Sequence, residues 1–192
     1  MKYIFHFIIP FWFFWAAGCS SPTEPESLAD SFFPISEVTS WQYLSNTPRD
    51  STILLWKVSG ETQIGGLSYF LVAESYPGTE INPAAVYYRK NGTVLYQKIA
   101  DQPEEIIADF ALNSGDVAYW DRQLKVTSKT EASMTFDTGQ RGQYRYSITF
   151  RKGYGVSSRT FTGVTNESIV LSEMLKVAGE TIHFVDGEPK LL

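Results

Sequence analysis

Hydrophobic residues are distributed in three ways along this chain of 192 residues. An almost unbroken apolar and aromatic run fills residues 3–17, and a mostly polar stretch, SSPTEPESLADS, fills residues 20–31. After that, short apolar or alternating runs recur between glycine, proline, asparagine and serine residues. Such runs, separated by turn residues, are typical of antiparallel β-structure. The distribution therefore predicts a leader over residues 1–18, a disordered tether over 19–31 and a single β-rich domain over 32–192.

The leader is too short to cross a membrane comfortably as a helix. Residues 3–17 would extend roughly 22 Å at about 1.5 Å per residue, whereas the hydrocarbon core of a bilayer is about 30 Å thick. A positive Lys2 precedes the run and small residues follow it, which is the pattern of a secretory signal peptide.

The end of the leader, Ala16-Ala17-Gly18-Cys19, resembles the lipobox of bacterial lipoproteins. The resemblance implies cleavage before Cys19 and acylation of both the Cys19 sulfur and the new amino terminus. Cys19 is the only cysteine, so no intramolecular disulfide can form, and acylation gives this thiol a role that a chance cysteine after a plain signal peptide would lack. Each buried methylene contributes about 0.8 kcal/mol, and a single acyl chain binds only marginally. The three acyl chains usual in this family would anchor the protein stably in the membrane through Cys19.

The same resemblance points to a location in the bacterial cell envelope. In Gram-negative lipoproteins an aspartate after the lipidated cysteine often retains the protein in the inner membrane, and here that position is Ser20. We therefore expect the protein to be anchored in the outer membrane, with its domain facing either the periplasm or the cell surface.

The charge of the chain excludes some partners. The formal net charge is −5, and it becomes −6 once Lys2 is removed with the leader. A nucleic-acid-binding domain needs a basic patch, and a negative domain gains no attraction to anionic lipid. We therefore expect no nucleic-acid partner.

The clearest local signal is RKNGTVLYQ. Asn91-Gly92 is a dipeptide that accepts the positive φ angles of a type I′ turn, so it predicts a two-residue hairpin. The hairpin would place Tyr88 and Tyr96 on the same sheet.

The segment QYRYSITFRK alternates strictly, which predicts a strand with one buried face. We expect four side chains to face inward: Tyr144, Tyr146, Ile148 and Phe150. Their alternates should face outward: Arg145, Ser147, Thr149 and Arg151.

Residues 166–185 fit either a hairpin or a helix capped by Asn166, and the hairpin is favoured because Gly179 can form its turn. Two further pairs of segments echo one another: LLWKVSGETQ with LKVTSKTE, and YYRKNG with FRKGYG. Together these patterns predict an all-β fold, an antiparallel meander that forms a sandwich or a partly closed barrel with two similar halves.

The order of several motifs resembles a loose group of small, β-rich, uncharacterised bacterial lipoproteins and secreted proteins. The motifs are FFPISEVTSWQY, a G-x-x-Y-x-x-V segment from Gly66 to Val72, VYYRKNG, DFALNSGD and FRKGYGV, and they cover most of residues 32–160. The chain departs from the group at Val38, where the group has glycine. It departs also at Trp120, which lies later in the sequence than the tryptophan usual in the group. The resemblance implies a fold and carries over no reaction.

Few residues suggest catalysis or metal binding. His183 is the only histidine after the leader, and in TIHFV it reads as a strand residue, so zinc and copper sites of the usual types lack ligands. Glu104 and Glu105 are adjacent on a predicted strand, so their carboxylates point to opposite faces and do not form an acid/base pair. Catalytic serine, metalloprotease and phosphate-loop motifs are absent from the sequence. The sequence therefore predicts no catalytic residue, no metal site and no cofactor, and it assigns no ligand-binding residue.

Three functions follow in order of preference. The first is a non-catalytic envelope lipoprotein whose β-domain binds a protein partner or supports a surface complex. The second is a binder of a small apolar or sugar ligand in a β-sheet cavity, to which an outward tyrosine of the Tyr87-Tyr88 pair could contribute stacking. The third is a hydrolase that uses two carboxylates from different strands. The sequence leaves the oligomeric state open.

Overall fold

The structure, a computed structural model, describes residues 27–78, 84–119, 124–139, 143–163 and 166–190. One short helix, α1 (Leu28–Phe32), precedes the strands. The first six strands are β1 (Val38–Asn46), β2 (Ser51–Ile64), β3 (Leu67–Ser75), β4 (Ala84–Asn91), β5 (Val94–Ile99) and β6 (Glu105–Asp109). The next six are β7 (Val117–Tyr119), β8 (Leu124–Lys129), β9 (Ser133–Asp137), β10 (Arg145–Arg151), β11 (Gly155–Thr162) and β12 (Glu167–Lys176). Two short strands follow, β13 (Thr181–Val185) and β14 (Glu188–Pro189).

Twelve of these strands form one antiparallel sheet that is nearly closed into a barrel. Their order is β6-β5-β4-β3-β2-β1-β12-β11-β10-β9-β8-β7. Each strand therefore pairs with its sequence neighbours, except that β1 pairs with β12 and joins the two ends of the meander. In the described part of the chain, β6 and β7 lie side by side without a strand pairing. The prediction of an all-β antiparallel meander that forms a partly closed barrel is confirmed.

The strand order also agrees with two similar halves of six strands each. The echoed segments around Lys57 and Lys125 lie on β2 and β8, and those around Tyr87 and Phe150 lie on β4 and β10. Both pairs are thus six strands apart. Both pairs of similar segments are therefore separated by the same number of strands, whereas unrelated chance matches would have no reason to share one separation.

The predicted hairpin at residues 91–92 is present, but its turn is shifted by one residue. Asn91 is the last residue of β4 and pairs with Val94, so Gly92 and Thr93 form the two-residue loop. Gly92 has φ +60°, and Thr93 is not among the residues with positive φ. A positive φ at the first loop residue alone is the pattern of a type II′ turn, so the predicted type I′ turn is wrong. Tyr88 and Tyr96 lie on the same sheet, as predicted.

The segment over residues 166–185 is a β-hairpin, so the favoured alternative is confirmed and the helix is excluded. β13 pairs with β12 through Glu173–His183, Met174–Ile182 and Leu175–Thr181. The nearer half of β12, from Glu167 to Val170, pairs with β11. β12 therefore pairs with β11 along its first half and with β13 along its second half.

The barrel has two different ends, which we call the helix end and the polar end. At the helix end, α1 bridges two turns, because Ala29 N donates to Gly92 O at 3.3 Å and Gly153 N donates to Ser31 O at 2.6 Å. The polar end carries the β1–β2 turn at residues 47–50, the end of β3 and the start of β12. The chain therefore enters the barrel from the helix end.

Helix α1 corrects the predicted end of the tether. Ser27 caps the helix by accepting a hydrogen bond from Asp30 N at 3.1 Å, which satisfies one of its free backbone donors. Ala29 and Ser31 are buried against the barrel. Residues 28–31 therefore belong to the folded domain, which begins before Phe32. The rest of the predicted tether, before Ser27, lies outside the described residues, as does the predicted leader.

The core fills the helix end and the middle of the barrel with aromatic rings. Phe33 stacks on Trp41 with ring centroids 5.5 Å apart, and Phe150 contacts Phe33, Phe110 and Phe136 edge-on at 6.3, 5.2 and 6.0 Å. The predicted inward face of β10 is correct for Ile148 and Phe150, which are buried. It is wrong for Tyr144, which is 43% exposed because it precedes β10 at the edge of the sheet.

No helix among the described residues has both the length and the apolar character needed to cross a membrane. Cys19, the predicted lipid attachment site, lies outside the described residues.

Candidate functional site

A group of polar side chains lies inside the barrel at its polar end. We call this group the interior polar cluster, and it consists of Tyr43, Ser45, Trp56, Glu74, Tyr76, Tyr88, Tyr146, Arg159 and Glu167. Two stretches of chain that are widely separated in sequence supply it: β1 to β4, with Tyr76 just after β3, and β10 to β12.

Strand register places the main members on the inner face. Tyr43 and Ser45 alternate with exposed Leu44 on β1, and both are buried. On β2 and β3, Trp56 is the register partner of Glu74, so the two side chains emerge on the same face. Trp56 is itself buried, with 1% exposure, which shows that this face is the inner one.

The other half of the cluster comes from β11 and β12. Arg159 is the register partner of buried Ile169, and Glu167 lies two residues before Ile169 on the same face. The Arg159 guanidinium lies over the Trp56 ring, with its Cζ 5.7 Å from the ring centroid. This cation–π contact joins β11 to β2 across the barrel.

Glu167 is held as a hydrogen-bonded carboxylate. Its Oε1 accepts from Ser45 Oγ at 2.7 Å and from Tyr76 Oη at 2.9 Å, and its Oε2 lies 4.0 Å from Arg159 Nη2. Burial and the hydrogen bond to Glu167 raise the pKa of Tyr76 to about 12, so Tyr76 stays a neutral donor.

Glu74 lies in a different environment. In the described part of the chain, no hydrogen bond or ion pair engages its carboxylate. Burial raises its pKa, the Arg159 charge opposes that rise, and the Glu167 charge adds to it. The cluster therefore contains one carboxylate that is satisfied and one that is not.

Two buried donors of the cluster also lack partners among the described residues. They are Tyr43 Oη and Trp56 Nε1. By contrast, Trp41 Nε1, on the same inner face, donates to Tyr154 O at 2.8 Å. A buried polar group without a partner costs about 1–3 kcal/mol, so two such groups side by side require an explanation.

The charges of Arg159 and Glu74 both act on the Tyr43 hydroxyl. Burial raises its pKa well above the usual range, while the Arg159 charge lowers it and the Glu74 charge raises it. The ring of Tyr43 packs edge-on against Trp56, with centroids 4.9 Å apart. The Tyr43 hydroxyl is thus near both the unpartnered carboxylate and the guanidinium, and Trp56 is the strand neighbour of Glu74.

Two surface grooves are weaker candidates. One of about 510 Å³ lies on the outer face of β7–β10, but its buried Asp137 is already bonded twice to Arg145, at 3.0 and 2.6 Å, and to Gly139 N at 2.6 Å. The other, of about 250 Å³, is lined in part by His183 and Tyr154. Neither groove shows an unpartnered buried polar group within the described residues.

The acids and the histidine singled out from the sequence lie outside this cluster. Glu104 binds Arg89 with two hydrogen bonds, at 2.8 and 2.7 Å, and accepts one from Tyr69 at 2.7 Å on the outer face. The hydrogen bonds from Arg89 lower the pKa of Glu104 despite its burial. His183 lies in β13, with Nδ1 3.4 Å from Glu173.

No metal site is apparent in the described ranges, which contain no close group of three or more His, Cys, Asp or Glu side chains. Tyr87 is half-buried on the outer face and Tyr88 is buried inside, so the pair does straddle its strand.

Sequence reasoning missed the interior polar cluster although one signal was available. Glu74 shares the phase of Phe70 and Val72 in LSYFLVAES, and Ser45 shares the phase of Trp41 and Tyr43 in WQYLS. A polar residue in the buried phase of a strand marks an interior polar site. The two-residue alternation of side chains could not predict that β1 pairs with β12, and this pairing brings Ser45 to Glu167.

Comparisons of the chain with protein-family models, with curated proteins and with solved structures found no match.

Proposed function

We propose that this chain is a lipid-anchored, non-catalytic binding protein of the bacterial cell envelope, and that the interior polar cluster is its site for a small polar molecule. The observation that carries the proposal is the pair of buried donors, Tyr43 Oη and Trp56 Nε1, that have no partner among the described residues. Their side chains share the inner face with Glu74, whose carboxylate also lacks a partner there. A bound molecule with acceptor and donor atoms would satisfy all three groups.

The position of the cluster supports binding of a small molecule over docking of a protein. Its members lie on the inner face of the barrel, and Tyr43 and Trp56 are almost fully buried. A protein partner contacts outward surface, whereas the unpartnered atoms Tyr43 Oη and Trp56 Nε1 have almost no accessible surface. The preference drawn from the sequence for a protein partner is therefore placed second.

The position of α1 is compatible with an anchor on Cys19. Ser27 and α1 lie at the helix end. An acyl anchor on Cys19 would therefore be attached on the side of the helix end, and the polar end would point away from the membrane. The interior polar cluster would then lie at the end of the barrel that faces the surrounding compartment.

The proposal is tested with purified protein and a panel of ligand classes: neutral sugars, sugar acids, amino acids and fatty acids. We expect at least one class to raise the melting temperature of the wild type, because a ligand that binds only the folded state stabilises it. The same ligand should not shift Arg159→Met. Arg49→Met, which changes an exposed arginine in the β1–β2 turn at the same end, should keep the full shift. Equal shifts in both variants would place binding outside the cluster and contradict the proposal.

A further inference from the structure

We propose that the ligand of the interior polar cluster is an uncharged sugar, recognised through its hydroxyl groups by Tyr43, Trp56 and Glu74. This inference rests on the proposed function, since it names the chemical class for the same site. It follows from the hydrogen-bonding capacity and the charge of the cluster.

The two unpartnered donors define what the ligand must offer them. A phenol hydroxyl and an indole N–H both donate, and the indole cannot accept. Tyr43 Oη and Trp56 Nε1 therefore call for oxygen acceptors. An apolar ligand would leave both donors unpaired, so the chemistry of the cluster favours a sugar over the apolar class considered from the sequence.

The unpartnered carboxylate defines what else the ligand must offer. Glu74 accepts hydrogen bonds when it is ionised, and no described residue donates to it. A ligand that serves Glu74 as well as Tyr43 must therefore donate and accept within a short distance. Hydroxyl groups do both, and a sugar ring carries several of them at adjacent carbons.

The charges of the cluster select a neutral ligand. A negative group would meet both Glu74 and Glu167, whereas a positive group would meet Arg159. Burying a further charge beside a like charge costs free energy that an uncharged hydroxyl avoids. Arg159 also covers the Trp56 ring, at 5.7 Å, so recognition relies on hydrogen bonds and not on stacking over that ring.

A buried water is the alternative occupant, because a water also donates and accepts. Tyr43 Oη and Trp56 Nε1 have almost no accessible surface, so a sugar reaches them only when a covering side chain moves. The two occupants differ in one measurable respect: a sugar binds with a dissociation constant that depends on these donors.

The experiment is calorimetric titration of the full lipidated chain in detergent with a panel of neutral mono- and disaccharides, and with uronic acids and amino sugars that share the same rings. We expect at least one neutral sugar to bind more tightly than its acidic and amino counterparts. Tyr43→Phe removes only the hydroxyl and should weaken that binding by about threefold to tenfold, the value of one neutral hydrogen bond. Tyr96→Phe, on the outer face under Arg89, should leave it unchanged.

Glu74→Gln provides a second variant whose outcome depends on charge. It removes one negative charge from the cluster but keeps an acceptor oxygen, so the neutral sugar should still bind while the uronic acid gains affinity. Far-UV circular dichroism verifies that each variant has kept the β-fold.

The outcomes separate this inference from the proposed function. If a charged compound binds more tightly than every neutral sugar and its binding requires Arg159, the cluster is a binding site and the sugar inference is wrong. If no compound of either panel binds in an Arg159-dependent way, both are wrong. If Tyr43→Phe changes stability but sugar affinity is equal in wild type and variant, the hydroxyl serves a structural water and the inference is overturned.

Discussion

Replacing Phe150 by alanine tests the inner face of β10 and the core that the barrel encloses. Phe150 has no exposed surface and meets three aromatic rings edge-on, Phe110, Phe136 and Phe33, at centroid distances of 5.2, 6.0 and 6.3 Å. Truncation of a buried phenylalanine costs about 3–5 kcal/mol. Each aromatic pair contributes about 0.5–1.5 kcal/mol beyond burial, so we expect a loss near the upper end of that range.

The matched control is the next residue along the strand. Thr149 is half-buried on the outer face, where its hydroxyl shares a hydrogen bond of 3.0 Å with Thr135. Removing it with Thr149→Ala should cost about 1 kcal/mol or less, the net value of one such bond. Both losses are measured by urea unfolding followed by circular dichroism, with the slope of the transition compared between variants. Equal losses, or a larger loss at Thr149, would refute the register of β10.

Three further predictions concern a turn, a carboxylate and the anchor. Gly92→Val should destabilise the domain by about 1 kcal/mol or more, because φ is +60° and a β-branched residue resists it. Thr93→Ser, which keeps the hydroxyl that donates to Asp109 at 2.8 Å, should have little effect on the urea midpoint. Glu74→Gln should raise the urea midpoint at pH 7: the raised pKa of Glu74 means that its ionisation disfavours the fold as pH rises. This gain should vanish below the ordinary glutamate pKa of about 4.3, and the exposed control Glu131→Gln should show none; a gain that persists at low pH would contradict the assignment. Cys19→Ser should abolish incorporation of labelled fatty acid and leave an unprocessed precursor, and a wild type that takes up no label would show that the lipoprotein assignment is wrong.

Much of the fold could be predicted from the sequence because its signals are local. Period-two alternation places Ile148 and Phe150 on one face, and the glycine at position 92 marks a hairpin. The failures are also local: Tyr144 continues the alternation but lies beyond the end of β10, and the turn begins one residue later than the Asn-Gly dipeptide suggests. Alternation gives the face of a residue but not the point at which a strand ends.

The site could be predicted only in part because it depends on contacts between distant segments. The buried phase of β3 contains Glu74, and this much is visible in the sequence. The hydrogen bond from Ser45 to Glu167 joins residues 122 positions apart, and the cation–π contact of Arg159 with Trp56 crosses the barrel. Both require the pairing of β1 with β12, which no local pattern specifies.

The most direct measurement of the central claim is a crystal structure of the chain with the tightest ligand from the panels. The account predicts a ligand oxygen within about 3.2 Å of Tyr43 Oη, the upper limit of an ordinary hydrogen bond, and inside the polar end of the barrel. A ligand bound only in the outer groove beside Asp137, or an interior occupied solely by water at Tyr43 while the ligand lies elsewhere, would contradict it.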